Sequence, residues 1–440
     1  MKFKVPIASL LVFLAGHFDT FGQGGQVTPE VGKKLPYFEL TNVRNYRKGR
    51  MTNDDFKGKW FILDFWSLSC RYCIASFPKL REIQSEVEGK MYIVQVGHNT
   101  IENKGIEAFY EKRKLELDLT MASAFDSVLF DRWDIHMLPT IYIVDPDGIV
   151  RFRTDGRDMS PEKIKWLIDG KTVSFYSLGD DAPQFELSQI DETKDNNPIF
   201  HSVLTNWNGE QQRLGRDIDL CEEYQEELKK DGWVIAMAPL YWLYNFAYLG
   251  RQAWTSYDTA FYGKIYPFPV LAMRDSSLFQ YDFDFNLGKG LYNFGFKMPS
   301  IKMDPAHIMR VLQGTLKQVF EYSISIEERP MPIWKLIAKS NLGQKLYTNG
   351  GKHSITWNGV LGFAARNESM KNCLDAITAY LPMNHKCIYL DATGINERVD
   401  MLINADMTQY EEVLSALHKQ GLDLVRDKKC MKVLVIKDPE

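Results

Sequence analysis

From residue 31 to about 170, short apolar runs of strand length alternate with stretches of helical period. Phe38-Glu39-Leu40-Thr41 alternates as a strand does, and Arg44 to Arg50 reads as a polar turn. The run Trp60-Phe61-Ile62-Leu63-Asp64-Phe65-Trp66 predicts a buried strand, followed by a helix through roughly Val87. Met91 to Val96 predicts a buried central strand, and Ile106 to Lys114 a second helix. Ile141 to Val144 and Ile149 to Phe152 flank Asp145-Pro146-Asp147-Gly148, a hairpin turn signal. Ser160-Pro161-Glu162 supplies an N-cap, a first-position proline and an acidic first turn for a helix to about Asp169, which Gly170 stops. The pattern predicts one complete α/β unit over 31–171 with a central mixed sheet flanked by helices.

Periodicity then fades. Gly179-Asp180-Asp181-Ala182-Pro183 and the polar stretch Asp191 to Pro198 mark 172–200 as a linker with one short strand, Gln184 to Leu187. Residues 201–440 read as a separate α+β domain with a weak internal duplication. Asp304-Pro305 opens a helix to about Val319, then come strand (Glu321 to Ile326), turn (Glu328-Arg329-Pro330) and strand (Met331 to Ala338). Met407-Thr408 opens a helix through Gln420, then strand from Gly421, turn (Asp427-Lys428-Lys429) and strand from Cys430 to Ile436. Each unit follows another helix and strand: Pro239 to Leu249 with Tyr292 to Lys297, and Met370 to Leu381 with Arg398 to Ile403.

Length supports this division, because 440 residues exceed the usual size of one core. A net charge of -4 gives no basic excess of the kind nucleic acid would require. Lys2 and Lys4, the apolar run Val5 to Gly16 and Thr20-Phe21-Gly22 read as a signal peptide over 1–22. The run is too short to span a bilayer, so the expected location is a bacterial periplasm. Export makes structural disulfides an expectation for Cys221, Cys373, Cys387 and Cys430, with three pairings open.

The chemistry concentrates at Cys70-Arg71-Tyr72-Cys73, placed after a predicted strand and at the start of a predicted helix. A helix beginning near Cys70 sets its sulfur over unpaired N–H groups and the positive end of the dipole, both favouring thiolate. Cys73 lies one turn deeper, where burial keeps it protonated, so the pair divides into attacker and resolver. A zinc half-site or a structural disulfide are the rival readings; zinc needs a second C-x-x-C, and the chain has none. No metal and no cofactor beyond the Cys70–Cys73 disulfide itself are expected.

With Trp66-Ser67-Leu68-Ser69-Cys70-Arg71-Tyr72-Cys73 and Leu138-Pro139-Thr140, the first domain resembles the thioredoxin superfamily, and within it the exported TlpA/ResA-like thiol–disulfide oxidoreductases. The likeness includes the Gly58-Lys59 turn, the Asp-Pro-Asp-Gly hairpin and the final helix. It implies that Pro139 is cis and faces the dithiol, with the Leu138 backbone ready to pair with a substrate strand. It places Asp64 as a buried carboxyl that shuttles the Cys73 proton, and Trp66 as a shield beside the site. Trp66, Arg71, Tyr72 and Leu138 are the expected substrate-binding residues. It also implies protein disulfides as substrates and a membrane thiol-reducing donor. Tyr72 stands where many relatives carry proline, and Ser76 where many exported relatives carry glutamate. Arg71 adds positive charge beside Cys70, and Pro78 is retained.

Residues 235–440 resemble a bacterial domain of unknown function described mostly from soil bacteria, through Ile324 to Leu336, Leu390 to Asn396 and Val433 to Lys437. The ending is similar to the helix–strand modules at the N-termini of secretins and TonB-dependent receptors, which implies an envelope partner. Lesser candidates read as structure: Asp391-Ala392-Thr393-Gly394 as a turn, His136 as a surface loop residue, Tyr241 to Tyr248 as core, and His385-Lys386-Cys387 as lacking metal-ligand partners. The reading is a periplasmic reductase of protein disulfides with an appended interaction domain. Its rivals are a disulfide oxidase or isomerase, and a non-catalytic envelope binding protein on a thioredoxin scaffold.

Overall fold

The computed structural model describes residues 27–87, 89–100, 103–178, 200–207, 232–280, 290–297, 304–339, 346–381 and 388–439. In the first domain, β1 (Glu39–Thr41) and β2 (Arg50–Thr52) form a small antiparallel ribbon. Then follow β3 (Trp60–Trp66), α1 (Arg71–Glu86), β4 (Met91–Gly97), α2 (Ile106–Leu117), β5 (Ala122–Phe125) and α3 (Val128–Arg132). The unit closes with β6 (Thr140–Val144), β7 (Val150–Thr154) and α4 (Pro161–Ile168). The sheet order is β5-β4-β3-β6-β7; β3, β4 and β5 run parallel, while β6 and β7 pair antiparallel.

Strand β3 lies at the centre and is covered on both faces, which is why its sequence is almost continuously apolar. The pleat sends Ile62 and Trp66 toward α1, α2 and α4, whose Phe77, Tyr110 and Ile164 complete that core. Phe61, Leu63 and Phe65 face the opposite core of Phe38, Phe56, Phe130 and Trp133. The Ser160 side chain accepts from the Lys163 N–H, capping α4 as its sequence predicts. Strand β5 and helix α3 had no clear sequence signal, being short. The stretch 172–178, expected to be linker, is instead part of this domain: Phe175 is buried in its core, and Tyr176 N–H donates to Asp158. The expected strand Gln184 to Leu187 and the 1–22 segment lie outside the described residues.

The second domain begins with β8 (His201–Asn206), β9 (Gly232–Pro239), α5 (Leu240–Leu249), β10 (Val270–Ala272), β11 (Leu291–Lys297), α6 (Pro305–Phe320) and β12 (Ser323–Ala338). It continues with β13 (Ser354–Trp357), β14 (Gly362–Glu368), α7 (Met370–Thr378), β15 (Ile388–Asp391), β16 (Val399–Asn404), α8 (Tyr410–Lys419) and β17 (Leu422–Lys437). The duplication is visible in this order. β9-α5-β10-β11-α6-β12 matches β14-α7-β15-β16-α8-β17. In each half the first strand pairs antiparallel with the third (β9 with β11, β14 with β16). The short strands exchange: β10 lies parallel to β17 of the other half, and β15 parallel to β12.

The two expected turns are absent. β12 and β17 are each continuous and pair antiparallel from Ser323 opposite Lys437 to Ala338 opposite Leu422. Each strand joins two cores: Leu434 and Ile436 pack with α5 and α6, whereas Leu422 and Leu424 pack with α7 and α8. Between them the strand crosses solvent, so Asp427-Lys428-Lys429 is polar without turning. The disulfide expectation also fails where it is observable. Cys373 is a buried free thiol on α7 and Cys430 an exposed free thiol on β17, while Cys221 and Cys387 lie outside the described residues.

Candidate active site

Helix α1 starts at Arg71, with Cys70 as its N-cap, and the Cys70 sulfur accepts from the Cys73 N–H at 3.2 Å. One orphan donor of the first turn thus points at the Cys70 sulfur, an arrangement that favours its thiolate. Cys70 and Cys73 are joined in a disulfide. Cys70 retains 9% exposure and Cys73 none, the asymmetry expected of attacker and resolver. Ser76 donates to the Cys73 carbonyl at 2.7 Å, so its hydroxyl serves the helix next to Pro78.

The Leu138–Pro139 peptide is cis, as the resemblance implied. Thr140 Oγ1 donates to the Met137 carbonyl at 2.7 Å and holds this loop in place. Leu138 is half-buried and packs against both cores of the domain. Among the described residues no hydrogen bond reaches its main chain, which leaves an N–H and a C=O for an incoming strand.

Asp64 is fully buried and shares the face of β3 that carries Ile62 and Trp66, the face against which Cys73 packs. Its Oδ2 accepts from Gln95 at 3.4 Å, and Tyr110 donates to Gln95 at 3.0 Å. Among the described residues Oδ1 has no hydrogen-bond partner. Burial pushes the Asp64 carboxyl up to about 7, and the Gln95 hydrogen bond offsets this only in part. Such a group can take or give a proton near neutrality.

The other expected contacts divide. Tyr72 is exposed beside the dithiol. Trp66 is fully buried against Phe77, Phe109, Tyr110 and Phe125, so it backs the site and does not face a substrate. The Arg71 guanidinium lies over the Tyr72 ring and donates to the Ala379 carbonyl of the second domain at 3.2 Å. His136 is exposed and bonded to Asp134; Asp391 accepts from Thr393 in a local turn. His385 to Cys387 lie outside the described residues.

Two groups that fix the site carried no sequence signal. Asn103 accepts from the Leu68 N–H at 3.2 Å, and Val360 N–H donates to the Leu68 carbonyl at 2.9 Å. Both polar groups of the residue two before Cys70 are therefore satisfied by remote parts of the chain.

Residues 31–153 match the family model described as AhpC/TSA family. The first domain is a thioredoxin-like domain of that family. Among curated proteins, it is similar to the Thioredoxin-like protein YneN of Bacillus subtilis, 26% identical over 32% of this chain and 84% of that protein. It is also similar to the Thiol-disulfide oxidoreductase YkuV of Bacillus subtilis, 27% identical over 29% of this chain and 88% of that protein. The Thiol-disulfide oxidoreductase ResA of Bacillus thuringiensis is 25% identical over 31% of this chain and 77% of its own length. Each of these matches spans about a third of the chain. The thioredoxin-like domain thus supplies the sheet, the N-capped Cys70 and the Leu138–Pro139 loop in one arrangement.

Proposed function

We propose that this chain is an exported thiol–disulfide oxidoreductase that reduces protein disulfides in the periplasm. The observation that carries the reading is Cys70 at the N-cap of α1, with the Cys73 N–H on its sulfur and Cys73 buried behind it. In the reduced enzyme the Cys70 thiolate attacks one sulfur of a substrate disulfide, and the other sulfur leaves as a thiolate. Cys73 then gives its proton toward Asp64, and its thiolate attacks Cys70, releasing the second substrate thiolate. Two electrons pass from the dithiol to the substrate, and the Cys70–Cys73 disulfide remains. Leu138 and Pro139 present the main chain on which a substrate segment aligns, and Arg71 and Tyr72 line its approach. A membrane thiol-reducing protein returns the electrons. Export rests on the pattern of 1–22, and a role for the second domain toward an envelope partner rests on its resemblance to secretin and TonB-receptor modules. No helix among the described residues is long and apolar enough to cross a membrane.

The test is insulin reduction with dithiothreitol as donor. The native chain turns over, Cys70→Ser abolishes turnover, and Cys73→Ser accumulates mixed disulfides in cells, which names substrates. A reduction potential well above about -150 mV would instead mark an oxidant. Full biological activity in both cysteine variants would assign the chain to binding without catalysis.

A further inference from the structure

The turn joining β13 to β14 does not end in solvent. Val360 N–H donates to Leu68, and the Val360 side chain is fully buried in the core cluster that contains Leu68, Cys70 and Cys73. Leu361 packs against the same cluster, with its Cδ1 close to Gly105 at the start of α2. Gly359 is required here: its φ is +52°, and a Cβ would lie 2.5 Å from the Leu68 carbonyl carbon. The tip is held from behind, because Met407 N–H donates to Val360 at 2.7 Å and Ala405 N–H to Leu361 at 3.2 Å.

The segment that holds it is fastened to the first domain in turn. Asp406 pairs with Arg113 of α2 at 2.7 Å, both nearly buried, and Arg113 also reaches Thr408. Lys112 adds bonds to Asp406 at 3.3 Å and Glu412 at 2.5 Å. On the far side of Cys70, Arg71 donates to Ala379, and Tyr380 packs against the Cys70 cluster. The attacking cysteine thus sits between two residues, Leu68 and Arg71, that are both bound by the second domain. What stays exposed beside it in the chain is Ser69 and Tyr72.

Building on the dithiol reading above, we propose that the second domain is the specificity-determining wall of the active site. Residues 358–361 and 379–380, clamped on 68–71, close Cys70 from that side. The opening left beside Tyr72 then favours an extended, disulfide-bearing segment, or an exposed disulfide as small as those of insulin, over a disulfide held within a large folded protein. Gly359 and Val360 are positioning residues in this scheme, acting through the Leu68 loop.

The reduced full-length protein tests this. Cys70 alkylation is timed with N-ethylmaleimide and with a polyethylene-glycol maleimide, which share one reactive group and differ in bulk, and sites are resolved by mass spectrometry. In the native chain Cys70 reacts far more slowly with the bulky reagent than with the small one. Gly359→Ala, which drives a Cβ into Leu68 and breaks the Val360 bond, raises the bulky-to-small rate ratio by about tenfold. Arg113→Met, at the other end of the clamp, raises it in the same direction and covers the case in which Gly359→Ala does not fold. A native chain that takes both reagents equally well, or an unchanged ratio in a folded variant, overturns the proposal. Alkylation reads the wall without turnover, so a chain inactive on insulin leaves this result standing. Where turnover is found, the native chain prefers a linear disulfide peptide to a large folded disulfide protein, and Gly359→Ala narrows that preference. Equal turnover of both by the native chain again overturns it.

Discussion

Asp64→Asn is the perturbation that most directly reads the buried carboxyl behind the dithiol. Asp64 is fully buried, one oxygen accepts from Gln95 at 3.4 Å, and the other has no hydrogen-bond partner among the described residues. Burial raises its pKa from an ordinary 3.8 to about 7. Between those values the folded chain holds a proton that the unfolded chain has released. Stability therefore falls as pH rises through this window and levels off above about 7. A gap of about three units at about 1.36 kcal/mol each amounts to about 4 kcal/mol, lost between about pH 4 and pH 8. Asparagine does not titrate, so the variant lacks this slope. Its amide carries a cost of about 1–3 kcal/mol where Nδ2 finds no acceptor, and that cost does not vary with pH. The assay is urea unfolding of the oxidised protein at a series of pH values, read as the variant-minus-native difference. The variant gains relative stability as pH rises, by several kcal/mol over the range. A difference that stays constant from about pH 4 to about pH 8 would refute the assignment of a raised Asp64 pKa. In single-turnover kinetics, Asp64→Asn also slows resolution of the mixed disulfide by about a hundredfold and removes its pH dependence near neutrality.

Two further predictions concern the second domain. Gly362 has φ +123°, and a Cβ there would lie 2.0 Å from the Ile403 carbonyl oxygen of β16. Gly362→Ala accordingly destabilises the chain by about 2 kcal/mol or more, measured as a lowered midpoint in thermal unfolding. Burial, with Glu368 and Asp391 adding to it, pushes the Cys373 thiol up to about 12, whereas Cys430 is exposed. At about pH 8, iodoacetamide applied to the native protein modifies Cys430 and spares Cys373, as peptide mass mapping will show. Rapid labelling of Cys373 would contradict its placement in the α7 core.

Much of the first domain was legible because its signals are local. The apolar run of β3, the Asp-Pro-Asp-Gly turn and the Ser160-Pro161 cap each act within a few residues, and each formed as read. With α1 starting at Arg71, the Cys70–Cys73 spacing places one sulfur at the N-cap and the other in the first turn. Reading failed where a segment's role depends on a remote partner. Glu328-Arg329-Pro330 and Asp427-Lys428-Lys429 have turn composition, yet each strand runs straight because the other pairs with it along its whole length. Trp66 was expected at the substrate, but the period-2 pleat of β3 turns it inward toward Phe77 and Tyr110.

By itself, the sequence determined that a strand feeds a helix at Cys70, that Pro139 precedes the partner strand, and that a duplicated α+β region follows. Periodicity, caps and turn residues encode such features locally. Only the tertiary structure decided that Leu68 and Arg71 are both bound by the second domain, through Val360 and Ala379. Arg71 and Ala379 lie 308 positions apart, and no local propensity encodes a hydrogen bond between segments so distant. These contacts form only when the two domains pack, as does the Arg113–Asp406 ion pair.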